Sequence, residues 1–185
     1  MITFNEIAEQ SKASIEKDDL KILLPLVAQI EPKNILEIGT WKGYSARTWL
    51  DAFEPKKFYT LDNDPNVLLD EWTGKKSCDS FYSTRDSHDL KTLTYVKDFF
   101  FPELIDFLFI DGDHSYQGVM KDFEMYAPLV RKGGVITFHD AIYHADKTEE
   151  VDIFWNEVKT KYPFVEIKVG ENSTGIGLIW QTRDL

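Results

Sequence analysis

Apolar residues recur along this chain with two different spacings. Over 4–15 and 19–30 they fall at helical intervals (Phe4, Ile7, Ala8, then Leu20, Leu23, Leu24, Leu26, Val27, Ile30), and Pro32 closes the second segment. Beyond it, short apolar runs at 35–38, 58–61, 79–83, 105–110 and 134–138 read as strands. The intervals 44–53, 65–72, 88–97 and 115–130 carry helical periodicity instead. Strand and helix alternating in this way predict an α/β fold with a mostly parallel sheet and helices on both faces, because parallel neighbours need a crossover between them. The end of the chain departs from the pattern. After a helix at about 148–161, residues 164–170 and 175–180 are two strands joined by the turn-rich Glu171-Asn172-Ser173-Thr174, which predicts an antiparallel hairpin.

Composition narrows what such a fold can do. A chain of 185 residues suffices for one core, so a single domain over 1–185 is expected, with 1–31 as a helical lead-in. The 21 Lys and Arg stand against 32 Asp and Glu, a net charge of −11, and no basic stretch interleaved with aromatics offsets it. Such a surface repels phosphate backbones and anionic lipid, so neither nucleic acid nor membrane is an expected partner. The single Cys78 cannot make an intrachain disulfide and is given no role. No basic segment precedes an apolar stretch at the N-terminus, and no window approaches the roughly 18 apolar residues of a membrane span, so a soluble cytoplasmic protein is expected.

The most informative stretch is Asn34-Ile35-Leu36-Glu37-Ile38-Gly39-Thr40-Trp41-Lys42-Gly43-Tyr44-Ser45-Ala46, an apolar strand that ends near an acid and opens through two glycines into a helix. Gly39 lets the chain leave the strand at an angle closed to other residues, and Gly43 lets the helix approach a ligand. A dinucleotide turn requires Gly-x-Gly-x-x-Gly, and the middle position is Trp41, so NAD is disfavoured. Asp62 closes the run Phe58-Tyr59-Thr60-Leu61, where an acid can accept from ribose hydroxyls.

The pattern Glu-x-Gly-x-x-x-Gly-Tyr-Ser-Ala resembles the first motif of class I S-adenosylmethionine-dependent methyltransferases. It is most similar to the catechol O-methyltransferase-like and sugar O-methyltransferase group, whose members bind a metal. Asp62, the run Ile105–Tyr116 and the run Lys132–Asp140 resemble later segments of the same family in the same order. The resemblance implies a Rossmann-like seven-stranded sheet whose last strand lies antiparallel beside the fifth. It also implies methyl transfer from S-adenosylmethionine to a small-molecule hydroxyl, whether sugar, polyketide or phenol. Two other readings of the fold stay open, an aminopropyl transferase whose Asp111, Asp113 and Asp140 grip a polyamine, and a cofactor-binding protein without catalysis. Oligomeric state, including a homodimer, is left open.

On this resemblance Glu37, Gly39, Gly43, Tyr44 and Ser45 serve the methionine end of the cofactor, with Ser45 near a helix N-terminus that favours its carboxylate. Asp62 takes the ribose. Asp86 and Ser87, in Arg85-Asp86-Ser87-His88, either contact the adenine or act as ordinary helix caps. Asp111 ends the fourth strand beside the cofactor. With His139 and Asp140, which end the fifth, it is expected to hold a divalent metal, Mg2+ or Mn2+. Imidazole suits Mg2+ poorly, so His139 points to a different metal, to another role for itself, or to no metal. His114, three residues after Asp111, is the expected general base, with capping of the following helix as its alternative. His88 and His144 are expected at the solvated surface, His144 in a loop that can also face substrate. Trp41, Tyr44, Tyr116 and Tyr143 neighbour the motif turns and are the expected walls of an acceptor pocket.

Overall fold

The structure is a computed structural model that describes residues 2–67, 78–142, 149–170 and 172–182. Its elements in chain order are α1 (Phe4–Gln10), α2 (Lys17–Ala28), β1 (Asn34–Ile38), α3 (Tyr44–Phe53), β2 (Lys57–Asp62), β3 (Asp79–Thr84), α4 (Leu90–Phe100), β4 (Ile105–Ile110), α5 (Tyr116–Tyr126), β5 (Val130–His139), α6 (Val151–Val158), β6 (Phe164–Ile167) and β7 (Ile176–Trp180). The seven strands form one sheet in the order β3-β2-β1-β4-β5-β7-β6. The first five run parallel, and β7 is antiparallel to both β5 and β6. This is the expected Rossmann-like arrangement, including the antiparallel last strand beside the fifth.

Alternation along the central strands sorts the apolar side chains into two cores. Leu36, Ile38, Leu108, Ile110, Ile136 and Phe138 face the side covered by α4, α5 and α6. Ile35, Phe58, Phe107, Phe109, Val135 and Leu178 face α1, α2 and α3. Central strands buried on both faces have to be apolar throughout, which is why β1 and β4 read as continuous hydrophobic runs. The buried polar residues in these two strands are Asn34 and Asp106 near their starts and Glu37, one residue from the end of β1 on the α3 side.

Several boundaries differ from the expected ones, each for a local reason. The first helix stops at Gln10 rather than continuing to 15, because Ser11 leaves the helical region and its hydroxyl pairs with Thr48 Oγ1 at 2.8 Å and accepts from the Ala13 amide at 3.2 Å. The helix expected over 115–130 ends at Tyr126 and passes into a 3-10 turn, Ala127–Leu129, at Pro128. The β6–β7 connection is longer than the expected four-residue turn, since the Val169 amide donates to Asp19 Oδ1 at 2.8 Å instead of extending the hairpin ladder. Of the helix expected over 65–72, residues 65–66 form a turn, and 68–72 lie outside the described residues. Among the described residues no helix is long and apolar enough to cross a membrane.

Candidate functional site

The sheet order reverses between β1 and β4, since β1 continues outward to β2 on one side while β4 continues to β5 on the other. Ligands of open α/β sheets bind outside the strands' carboxyl ends at such a switch point. A cavity of about 790 Å³ lies there. Of the expected cofactor residues, Gly39, Tyr44, Ser45, Asp62, Asp86, Ser87 and Asp111 line it, and so do His114, His139 and Asp140.

Gly39 is required twice. Its φ is +93°, and a Cβ built on it would fall 1.9 Å from the Asp111 carbonyl oxygen. The first turn and the end of β4 therefore touch backbone to backbone, a contact completed by the Asp111 amide donating to the Ile38 carbonyl at 2.8 Å. Gly43 does not line the cavity. It is the N-terminal cap residue of α3 in the left-handed region, and its amide donates to the Thr40 carbonyl at 2.8 Å. Between the glycines, Trp41 holds a φ of +46° and stays largely exposed, edge-on to Tyr44 with ring centroids 6.1 Å apart.

Asp62 closes this turn. Its Oδ2 accepts from the Thr40 amide at 2.9 Å and the Trp41 amide at 2.8 Å, and its Oδ1 from the Asp64 amide at 3.0 Å. The same carboxylate that faces the cavity thus shapes the loop around it. Glu37 sits behind the cavity rather than in its lining, fully buried. It accepts from Trp49 Nε1 at 3.0 Å and Thr60 Oγ1 at 2.6 Å, with the Ser45 hydroxyl as a further partner. Burial nevertheless pushes its pKa up to about 7 against these hydrogen bonds, helped by the charge of Asp111.

At the opposite end, β4 and β5 deliver the acids and histidines. Asp111 Oδ1 lies 3.1 Å from His114 Nε2 and 3.1 Å from His139 Nδ1. His139 Nδ1 is also 3.1 Å from Asp140 Oδ2, while His114 Nδ1 is 3.4 Å from both Asp140 Oδ2 and Glu149 Oε1. Asp140 takes a φ of +56°, an unusual conformation that an aspartate tolerates better than most residues and that turns its carboxylate back into the cluster. Burial raises the Asp111 pKa, but the neighbouring imidazoles override it and bring the group down to about 2. The hydrogen bond with Asp111 lifts His114 to about 9 against its burial. Burial would lower His139, and the two aspartates outweigh it and hold it well above its ordinary value.

Ser115, not His114, is the N-cap of α5, accepting from the Gly118 amide at 3.1 Å, so the helix-capping alternative for His114 is set aside. Asp89 likewise caps α4, which leaves Asp86 to accept from the His88 amide at 2.8 Å in the turn before that helix. Two expectations are corrected. His88 is not at the solvated surface, because its Nε2 is directed at the fully buried Asp122, 3.2 Å from Oδ1. Tyr116 is not a wall of the cavity, since its hydroxyl donates to Glu157 at 3.0 Å and its ring packs on Phe154. Tyr143 and His144 lie outside the described residues.

Glu149, Asp122 and the Asn172–Thr174 loop were not singled out from the sequence, although Glu149 and the loop line the cavity. Only Asp122 left a signal. It occupies a core position of α5 between Val119 and Tyr126, where the helical spacing calls for an apolar residue.

Comparison with known proteins agrees with this geometry. The family model described as a methyltransferase domain matches residues 36–141. An uncharacterised protein of Acanthamoeba polyphaga mimivirus is 31% identical over 141 residues, covering 72% of this chain, and the chain spans 57% of that relative's length. Among solved structures, an O-methyltransferase from Bacillus cereus in complex with SAH superposes with a TM-score of 0.64 at 22% identity, covering 95% of this chain and 86% of its own. MycE, a methyltransferase of mycinamycin biosynthesis in complex with Mg and SAH, gives 0.59 at 19% identity over 86% of this chain and 49% of its own. The matched segment runs from β1 through the Gly39 turn to His139 and Asp140 at the end of β5, and this chain belongs to the methyltransferase-domain family.

Proposed function

We propose that this protein transfers a methyl group from S-adenosylmethionine to a hydroxyl oxygen of a small molecule. The observation that carries the reading is the meeting, at one switch-point cavity, of the Gly39 turn with its Asp62 brace and the cluster of Asp111, His114, His139 and Asp140. The first set suits the ribose and methionine parts of a nucleoside cofactor. The second suits the handling of a hydroxyl proton.

Methyl transfer is an in-line displacement. The acceptor oxygen forms a bond to the methyl carbon as the carbon–sulfur bond breaks, the sulfonium becomes a neutral thioether, and the hydroxyl proton has to leave. His114 is the group to receive it, being only a third exposed and placed beside the end of β4. The surrounding acids hold its own proton, so it becomes a base at neutral pH only when the charge of Asp111 and Asp140 is otherwise engaged.

Asp111, His139 and Asp140 fit a divalent cation. Each offers one ligand atom, and these atoms lie within 4.8 Å of one another. One imidazole with two carboxylates suits a manganese-like ion better than Mg2+. Such an ion supplies Lewis-acid stabilisation of a developing alkoxide when bound. The polyamine alternative loses ground, because Asp111 and Asp140 already face imidazoles. Incorporation of labelled methyl groups into sugar, polyketide and phenol panels, with and without EDTA, tests the reading. Transfer to at least one hydroxyl class is the expected result, and cofactor binding with no transfer to any of them would contradict it.

A further inference from the structure

Glu149 lines the cavity, and the reaction above does not use it. It stands in the segment before α6, and its place there is fixed by its neighbour. The Glu150 amide donates to the His114 carbonyl at 2.9 Å, and the Glu150 carboxylate accepts from the Tyr116 amide at 3.0 Å, so the segment is clamped to the start of α5. Glu149 Oε1 is thereby brought to 3.4 Å from His114 Nδ1.

Asp140 Oδ2 lies at the same 3.4 Å from the same nitrogen. Both distances exceed an ordinary N–H···O bond, and one ring proton cannot serve two carboxylates well. A cation can. His114, Asp140 and Glu149 each offer one ligand atom, and the three atoms lie within 4.8 Å of one another. One imidazole and two carboxylates, with a water in the fourth place, make a donor set that zinc takes. The other side of the ring agrees. His114 Nε2 is 3.1 Å from Asp111 Oδ1, and a histidine that ligates a metal through one nitrogen characteristically donates from the other to a carboxylate.

We propose that His114, Asp140 and Glu149 form a second cation site, suited to zinc-like ions and distinct from the set of Asp111, His139 and Asp140, and that filling it arrests the reaction. Asp140 belongs to both sets, so its carboxylate bridges the two ions, which in two-metal centres stand roughly 3.5–4 Å apart. An ion on Nδ1 displaces the proton there, and the remaining ring proton stays on Nε2 toward Asp111. His114 then has no lone pair for a substrate proton. The site is independent of the methyl-transfer reading, and the arrest rests on it.

The test loads the full chain, first stripped of metal, with Zn2+. Calorimetry should count two equivalents in the wild type, and Glu149→Gln should weaken one of them at least a hundredfold while the melting temperature of the metal-free chain stays level. Anomalous scattering from zinc-soaked wild-type crystals should show an ion between His114 Nδ1 and Glu149 Oε1, a readout that needs no variant to fold. A single equivalent in the wild type, with its ion among Asp111, His139 and Asp140, overturns the proposal and leaves the first set standing. Two equivalents untouched by Glu149→Gln overturn it as well. Filling the second equivalent should lower labelled-methyl transfer by tenfold or more in the wild type, and undiminished transfer overturns the arrest. With no transfer under any loading the methyl-transfer reading fails and takes the arrest with it, and the ion count alone decides the site.

Discussion

At the β1–α3 end of the cavity the acids are answered by fixed donors of the chain itself, whereas at the β4–β5 end they are answered by imidazoles. Asp62 accepts three backbone amides, and Glu37 accepts an indole, a threonine and a serine. Asp111 and Asp140 instead share His114 and His139. Fixed donors hold an acid in a constant shape. Imidazoles can give up their protons and be displaced by another cation. On the proposed reading the first end holds a molecule, and the second exchanges a proton or a cation.

The sharpest way to break this contrast is at His114. His114→Ala should lower turnover by about 10²–10⁴-fold with cofactor affinity nearly unchanged, because loss of a general base acts on the transition state. Single-turnover kinetics beside calorimetry checks it. A parallel loss of cofactor binding would mean that the two ends are not separable.

Glu37 tests the other end through pH. Its carboxyl titrates at about 7 in the folded protein against an ordinary value of 4.5. Between these values the folded state keeps a proton that the unfolded chain has lost, so stability falls as pH rises through the window. The fall is about 3 kcal/mol at 1.36 kcal/mol per unit. Glu37→Gln removes it, so the unfolding free energy of the variant minus that of the wild type should climb by about that much between pH 4 and 8 in urea titrations. A flat difference would show that its donors already keep Glu37 ionised.

For the exchanging end, Asp140→Asn should weaken manganese binding by roughly a hundredfold, since it removes one charged ligand of three. Mn2+ titration followed by magnetic resonance measures this, and S-adenosylhomocysteine affinity should change little. The smallest effect belongs to Asp62→Ala, which should weaken the cofactor by about 1.5–3 kcal/mol by leaving buried hydroxyls and the Thr40 and Trp41 amides unpaired. An unchanged dissociation constant would leave Asp62 a brace for the loop and nothing more.

The two ends were not equally legible in the sequence. The holding end could be read because its devices are local. Gly39 and Asp62 stand at strand ends, where backbone geometry limits the choice of residue. The close approach of Asp111 to Gly39 could not be read, because it depends on how two strands distant in sequence register. At the exchanging end the residues Asp111, His114, His139 and Asp140 were visible as strand-end motifs, but their mutual pairing, and the addition of Glu149 from outside any motif, arise only when β4, β5 and the segment before α6 converge. His88 was misjudged for the same reason. Its partner Asp122 lies on α5, distant in sequence from the turn that carries His88, and what marked that aspartate was only a polar residue on an apolar stripe.

The central claim, that the holding end receives a sulfonium nucleoside and not a dinucleotide, is tested most directly by calorimetric titration of the wild-type chain with S-adenosylhomocysteine in competition with NAD. The account predicts one-to-one binding in the micromolar range, about −8 kcal/mol, unaffected by NAD. Binding of NAD at this cavity, or no binding of S-adenosylhomocysteine, would contradict it.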